Sequence, residues 1–114
     1  MDLQELQKEL LKENGWLFHK LGDQKDLIKK AAQAEHDYRT ALAIKLLEYR
    51  TAGEPATIMG DLCRGDKAIA KLKLERDIAK GIADACRQSI IATQASMSAL
   101  QTLISSRKEE MKLL

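Results

Sequence analysis

Two histidines and two cysteines are the residues whose side chains could support catalysis or hold a metal. His19 and His36 show no metal-ligand spacing with the cysteines, and neither Cys63 nor Cys86 has the neighbouring cysteine that a zinc site requires. The chain also lacks the HExxH pattern, the GxSxG turn and the glycine-rich loops that bind phosphates. We therefore expect surface histidines, no metal or other cofactor, and a protein that is not an enzyme.

The cysteines also bear on the cellular compartment. Cys63 and Cys86 fall on one predicted helix, where their 23-residue separation corresponds to about 34 Å if the helix is continuous. They cannot form a disulfide within one chain, and reduced thiols are typical of cytoplasmic proteins. The acidic residues near the N-terminus are unlike a signal peptide. A cytoplasmic location is the expectation.

The tripeptide Arg64-Gly65-Asp66 matches an adhesion motif. In a helical chain the same residues have a structural explanation, because Asp66 can cap a helix that restarts after Gly65. We favour the capping interpretation.

Four basic residues, Lys73, Arg76, Lys80 and Arg87, fall within about 60° of one another on a helical wheel. Such a stripe could contact nucleic-acid phosphates or another partner. However, Lys73 with Asp77 and Lys80 with Asp84 have the four-residue spacing of helix ion pairs. The chain carries 19 basic and 17 acidic residues, balanced in both halves. A self-paired, solvated face is therefore favoured over nucleic-acid binding.

The element that must carry most of these residues is a long helix from about residue 61 to residue 112. Its apolar residues follow a coiled-coil heptad pattern with a few polar defects. One set of seam positions is Leu62, Ile69, Arg76, Ala83, Ile90, Met97, Ile104 and Met111. The companion positions are Gly65, Leu72, Ala79, Cys86, Thr93, Leu100, Arg107 and Leu114.

The preceding residues divide into two helical segments by their glycines. Residues 1–21 form an N-terminal segment with a helix stop or a weak point at Asn14-Gly15. Gly22-Asp23 supplies a break and an N-cap for a middle helix over residues 23–52. Gly53 is a candidate C-cap and Pro55 a candidate first residue of the next helix. The turn then covers about residues 52–56 and the long helix residues 55–113, or the turn extends to residue 60 if Ile58 and Met59 form only a single helical turn before Asp61. Residues 1–21 either continue the middle helix or fold as a separate segment.

A run of 19 residues without charge, 88–106, lies near the C-terminal end. Its glutamines and serines make it too polar for a membrane span. A solvated helix of this chain carries a charge every three or four residues, so we expect a run without charge to be buried on several sides. In an antiparallel hairpin it lies opposite a hydrophobic plug that includes Trp16 and Phe18. We expect these two residues and four apolar residues of the run to form an oligomer interface; the four are Ile90, Met97, Leu100 and Ile104.

The segment TAGEPATIMGDLCRGDKAIAKLKLERDIAK, residues 51–80, with the upstream AEHDYRTALAIKLLEYR, resembles small all-helical early-region proteins of phages and prophages of Gram-positive bacteria. The resemblance covers about residues 35–110 and brings no catalytic residue with it. It implies a role near phage DNA replication and recombination, in the cytoplasm of a bacterial host. The uncharged run departs from the more charged C-terminal helices of that group.

These observations predict one all-α domain, an elongated antiparallel helical hairpin that assembles into an oligomeric bundle. The preferred function is a non-enzymatic interaction module that binds itself and a host protein or a replication or recombination component. Two alternatives stay open: a nucleic-acid-binding accessory protein of phage DNA metabolism, and an inhibitor of a host defence complex.

Overall fold

The computed structural model describes all residues from Met1 to Leu114. It contains three helices and no strands: α1 (Leu3–Thr51), α2 (Ala56–Gly65) and α3 (Lys67–Lys112). The all-α prediction is confirmed. No helix combines the length and the apolar character that crossing a membrane requires.

Helix α1 is unbroken, so the predicted stop at Asn14-Gly15 and the predicted break at Gly22-Asp23 are both wrong. Residues 1–21 therefore continue the middle helix. The helix continues through both glycines because its heptad pattern is unbroken there. Glu13, Lys20 and Gln24 take seam positions between leucines. The seam residues, all buried or half-buried, are Leu3, Leu6, Leu10, Glu13, Leu17, Lys20, Gln24, Leu27, Ala31, Ala34, Tyr38, Ala41 and Lys45.

The ends of α1 are closed by local hydrogen bonds. The backbone N–H of Glu5 donates to Oδ1 of Asp2 at 2.8 Å, which caps the N-terminus. At the C-terminus Gly53 has a φ of 80°, as predicted for a C-cap glycine. Its N–H donates to the carbonyl of Arg50 at 3.1 Å, and the N–H of Glu54 donates to that of Tyr49 at 3.0 Å.

The predicted long helix over residues 55–113 is interrupted at Asp66. Pro55 precedes α2 rather than belonging to it, and Asp66 has an extended backbone, with φ −74° and ψ 125°. Oδ1 of Asp66 accepts a hydrogen bond from the N–H of Ile69 at 3.0 Å, so its predicted capping role is confirmed. The helix can be interrupted here because the Asp66 carboxylate accepts a hydrogen bond from a backbone N–H of the first turn of α3, which would otherwise have no partner within the helix.

The chain divides into two compact units: unit 1 contains Met1–Lys25 and Asp84–Leu114, and unit 2 contains Asp26–Ala83. In unit 1, Leu6 of α1 is 2% exposed and packs with Leu100 and Ile104 of α3. Leu3 and Leu10 pack against this cluster. The two segments of unit 1 are antiparallel, because Lys20, later in α1, contacts Thr93, earlier in α3.

Unit 2 pairs its helices in the same antiparallel sense. Glu35 contacts Arg76, and Lys45 contacts Asp66. The hydroxyl of Tyr49 donates to the carbonyl of Leu62 at 3.5 Å. Cys63 and Ile69 are its buried side chains.

The predicted heptad seam of α3 is confirmed as far as Ile104. Every seam position from Ile69 to Ile104 is buried or half-buried. The pattern fails after that point, since Arg107, Met111 and Leu114 are exposed. Arg107 instead pairs with Glu110 of its own helix at 3.2 Å.

Candidate functional site

Trp16 and Phe18 do not form an intrachain plug. Trp16 is 46% exposed and Phe18 is 70% exposed. Nζ of Lys12 lies 4.9 Å from the centre of the Trp16 ring, a contact within its own helix. The heptad pattern explains why the predicted plug does not form. Leu17 and Lys20 take the seam positions of this segment, so the rings of Trp16 and Phe18 face outward.

The uncharged run is buried on one side only, which corrects the expectation of burial on several sides. Ile90, Leu100 and Ile104 are buried within unit 1, and Met97 is half-buried. Ile91 and Leu103 are about half exposed. Residues of the same chain cover the three buried side chains, so the predicted oligomer interface at these positions is replaced by intrachain packing. Glutamine, serine and alanine occupy most of the outward positions, and these residues tolerate water without a charge.

Arg76, a seam residue and a candidate contact for nucleic acid or another partner, is held within unit 2. Its side chain is 23% exposed and lies 3.4 Å from Glu35 and 2.9 Å from Asp77. Its guanidinium also stacks on the ring of Tyr38, with 4.5 Å from Cζ to the ring centre. The hydrogen bond to Asp77, together with the charge of Glu35, raises the pKa of Arg76. Arg76 therefore works as a polar seam residue that joins α3 to α1.

The predicted ion pairs of Lys73 with Asp77 and of Lys80 with Asp84 do not form. Asp77 bonds to the adjacent Arg76 instead. Lys73 and Lys80 are exposed in unit 2, and Arg87 is exposed in unit 1.

A depression beside Arg76 is lined by Ala31, Glu35, Arg76, Asp77 and Lys80. Its two carboxylates balance its two cations. The arrangement has no excess of positive charge to attract a phosphate.

An apolar groove on unit 2 is the site that the sequence reasoning missed. The groove has a volume of about 250 Å³, and its lining residues are Leu27, Lys30, Glu75, Ile78, Ala79 and Ile82. Ile78 is 53% exposed and Ile82 is 49% exposed. The sequence did contain a signal for this groove. Ile78 and Ile82 are four residues apart on α3 and away from the seam, and two isoleucines on the solvent side of a helix have no intrachain partner.

Charge marks both edges of this groove. Lys30 comes from α1 and Glu75 from α3, and neither side chain forms an ion pair within the chain. The groove therefore offers an apolar floor with one unpaired cation and one unpaired anion. A partner with complementary charges can bind there with a defined orientation.

A polar contact in unit 1 was also missed. Nζ of Lys20 donates to Oγ1 of Thr93 at 2.7 Å, and Oγ1 of Thr93 donates to the carbonyl of Ser89 at 3.0 Å. The thiol of Cys86 lies 3.6 Å from the carbonyl oxygen of Lys20. These bonds satisfy polar groups at the helix contact and indicate a structural role.

The remaining residues with reactive side chains lie apart. His19 and His36 are exposed, as expected for surface histidines. Cys63 is buried, Cys86 is half-buried and both are free thiols. No three histidine, cysteine or acidic side chains are grouped so that they could hold a metal ion.

Comparison of the chain with protein-family models, with curated proteins and with solved structures finds no match.

Proposed function

We propose that the chain is a non-enzymatic protein-interaction module whose unit 2 binds an amphipathic helix of another protein. The observation that carries the proposal is the apolar groove, in which Ile78 and Ile82 are about half exposed on a regular helix. Exposed apolar side chains at helical spacing, bordered by charge, are typical of a surface that receives a partner helix.

The chemistry of the groove specifies the partner. An incoming helix would place apolar residues at i, i+3 and i+4 over Leu27, Ala79 and Ile82. An acidic residue on one edge of that helix would pair with Lys30, and a basic residue on the other edge would pair with Glu75. The charges select the orientation of the partner, and apolar burial supplies most of the affinity.

We infer that the partner is a host protein or a replication or recombination component, which is what the resemblance to phage early-region proteins implies. Inhibition of a host defence complex is a case of the same function, since it differs only in which protein enters the groove.

A nucleic-acid-binding accessory role is the second candidate. It is supported by Lys73, Lys80 and Arg87, which are exposed and form no ion pair within the chain. Because Arg76 is paired with Glu35 and Asp77, only three of the four predicted basic residues are free to contact phosphates. Three phosphate contacts would give weak binding, with a shallower salt dependence than a larger phosphate-binding surface shows.

The proposed function is tested by introducing a photoreactive amino acid in place of Ile78 and cross-linking in cells that express the chain. Ala32 is the matched control position, because it is an exposed residue of unit 2 that does not line the groove. We expect a cross-link to one protein at position 78 only, and the loss of that cross-link when Ile82→Glu is added. Equal labelling from both positions, or a cross-link that survives Ile82→Glu, would contradict the proposal.

A further inference from the structure

A second apolar face lies on α1 within unit 1. Leu11, Gly15, Phe18 and Gly22 fall within about 60° of one another on the helix. Leu11 is 71% exposed and Phe18 is 70% exposed. The face therefore alternates two large apolar side chains with two positions that have no side chain.

The two glycines are not required by the fold of the chain. Neither has a positive φ, and a Cβ added at either would meet no other atom within 4 Å. Glycine weakens a helix interior relative to alanine. Close packing within the chain therefore does not explain why Gly15 and Gly22 stand in the middle of a long helix.

The order of these residues is self-complementary. A two-fold axis placed midway between Gly15 and Phe18 brings a second α1 antiparallel to the first. Phe18 then lies opposite Gly15 of the second copy, and Leu11 lies opposite Gly22 of the second copy. In a parallel pair Phe18 would meet Phe18, and the glycines would face each other across a gap, which is poor packing.

We propose that two copies of the chain pair through this face, with Phe18 and Leu11 of each copy seated in the notches at Gly15 and Gly22 of the other. Such an interface is isologous, since each large residue contacts a glycine and the reverse contact forms by symmetry. The large aromatic side chain supplies the main anchor. The face belongs to unit 1 and shares no residue with the groove of unit 2, so it does not rest on the proposed function.

Charges flank the face at both ends. Lys8, Lys25 and Asp26 are exposed there, and Asp26 has the same direction on the helical wheel as Lys8. In the antiparallel pair Lys8 of each copy meets Lys25 and Asp26 of the other, so each end of the contact brings together charges of both signs.

The contact is short, which sets the concentrations to be used. A helix pair over four turns buries less than the ~1,200 Å² of a standard stable interface. We therefore expect a monomer–dimer equilibrium in the micromolar range or weaker, measured by sedimentation equilibrium over micromolar to millimolar concentrations.

The test exchanges the large residue and the notch. Gly15→Phe sets two rings against each other and Phe18→Gly leaves a gap, so each single variant should weaken dimerisation by at least about tenfold. The double variant restores a ring opposite a glycine and should recover dimerisation to within about threefold of the original chain. Gly81→Phe is the matched control, because Gly81 also lies within a helix and has open space where a Cβ would stand, but it has no such partner pattern.

Each outcome decides between pairing and its alternatives. Recovery in the double variant, with an unchanged Gly81→Phe chain, supports the proposal. A chain that stays monomeric at millimolar concentration, or a double variant no better than the single variants, would overturn it. Ile78→Glu should leave the dimer intact; its dissociation would place the contact between copies at the groove instead. Circular dichroism must show that every variant keeps its helix content.

Discussion

At the scale of single residues, polar side chains in the seam determine how α1 contacts the other helices. Lys45 bonds to Asp66 at 3.4 Å, and Arg76 reaches Glu35 while it stacks on Tyr38. Each contact joins a specific residue of α1 to a specific residue beyond the turn. A shift of the helices along each other would separate these pairs, so they favour one register.

Asp66 makes the stability of unit 2 depend on pH. The N–H of Ile69 holds the pKa of this carboxyl below its ordinary value of 3.8, and Lys45 lowers it further. Because folding favours the carboxylate, its contribution is present above the ordinary pKa and is lost as pH falls through the lowered pKa. We expect Asp66→Asn to be less stable than the original chain at neutral pH and the difference to shrink in acid. Urea unfolding at a series of pH values measures this.

The Lys45→Gln variant tests the contribution of Lys45 to the pH dependence of stability. Removing the Lys45 charge takes away one of the causes of the lowered pKa, so the stability that depends on the ionisation of Asp66 should be smaller in this variant. A stability difference between the original chain and the Asp66→Asn variant that stays constant at all pH values would contradict the assignment.

Leu6 is the best-buried side chain of unit 1 and therefore its most sensitive position. At 2% exposure it packs against Leu100 and Ile104. We expect Leu6→Ala to lower the free energy of unfolding by about 2–5 kcal/mol, through lost burial and the cavity that remains. The control is Leu11→Ala on the exposed face, which should change stability by roughly 0.5 kcal/mol or less in a dilute sample. Denaturant unfolding of both variants compares them directly.

At the scale of elements, the continuity of α1 shows that glycine ends a helix only when the backbone leaves the helical conformation. Gly15 and Gly22 stay within α1, whereas Gly53 adopts a φ of 80° and ends it. The difference follows from the surrounding pattern. Seam residues continue on both sides of Gly15 and Gly22. The seam of α1 instead ends at Lys45, and Tyr49 is the last half-buried side chain before Pro55.

This difference predicts opposite effects for the same substitution. Gly22→Ala should raise the free energy of unfolding by about 1 kcal/mol, because alanine favours the helix. Gly53→Ala should lower it by about 1–2 kcal/mol, because an L side chain at positive φ is strained. Thermal or urea unfolding of the two variants at low protein concentration tests the pair. Two changes of the same sign would refute this account of the turn.

At the scale of the whole molecule, charge balance sets what the chain attracts. It carries 19 basic and 17 acidic residues, and several of the cations are already paired with carboxylates of the same chain. Long-range attraction of a polyanion is therefore weak. Apolar surface, on the groove and on the outer face of α1, is the feature left for recognition.

The near-neutral charge of the chain predicts weak binding to nucleic acid. We expect duplex DNA to bind only at low salt, and changing Lys73 and Lys80 to glutamine to remove that binding without loss of helix content. Arg76→Gln should instead lower thermal stability and leave binding little changed, because Arg76 is held by Glu35 and Asp77. Fluorescence anisotropy at two salt concentrations and a melting curve separate the effects. Tight binding that persists at moderate salt would favour the nucleic-acid candidate.

Local sequence was sufficient to predict the helical class, the turn near Gly53, the cap at Asp66 and the seam of α3 as far as Ile104. Each depends on neighbouring residues, so local propensity and heptad spacing were sufficient. The continuity of α1 and the outward direction of Trp16 and Phe18 follow from the heptad pattern of α1, which its glycines and polar seam residues obscured. Tertiary packing was needed to show that Ile90, Leu100 and Ile104 are buried within the chain and that Arg76 is engaged by Glu35 and Tyr38. These depend on which partner each side chain meets across the helix pair, and the order of residues along one chain does not specify that partner.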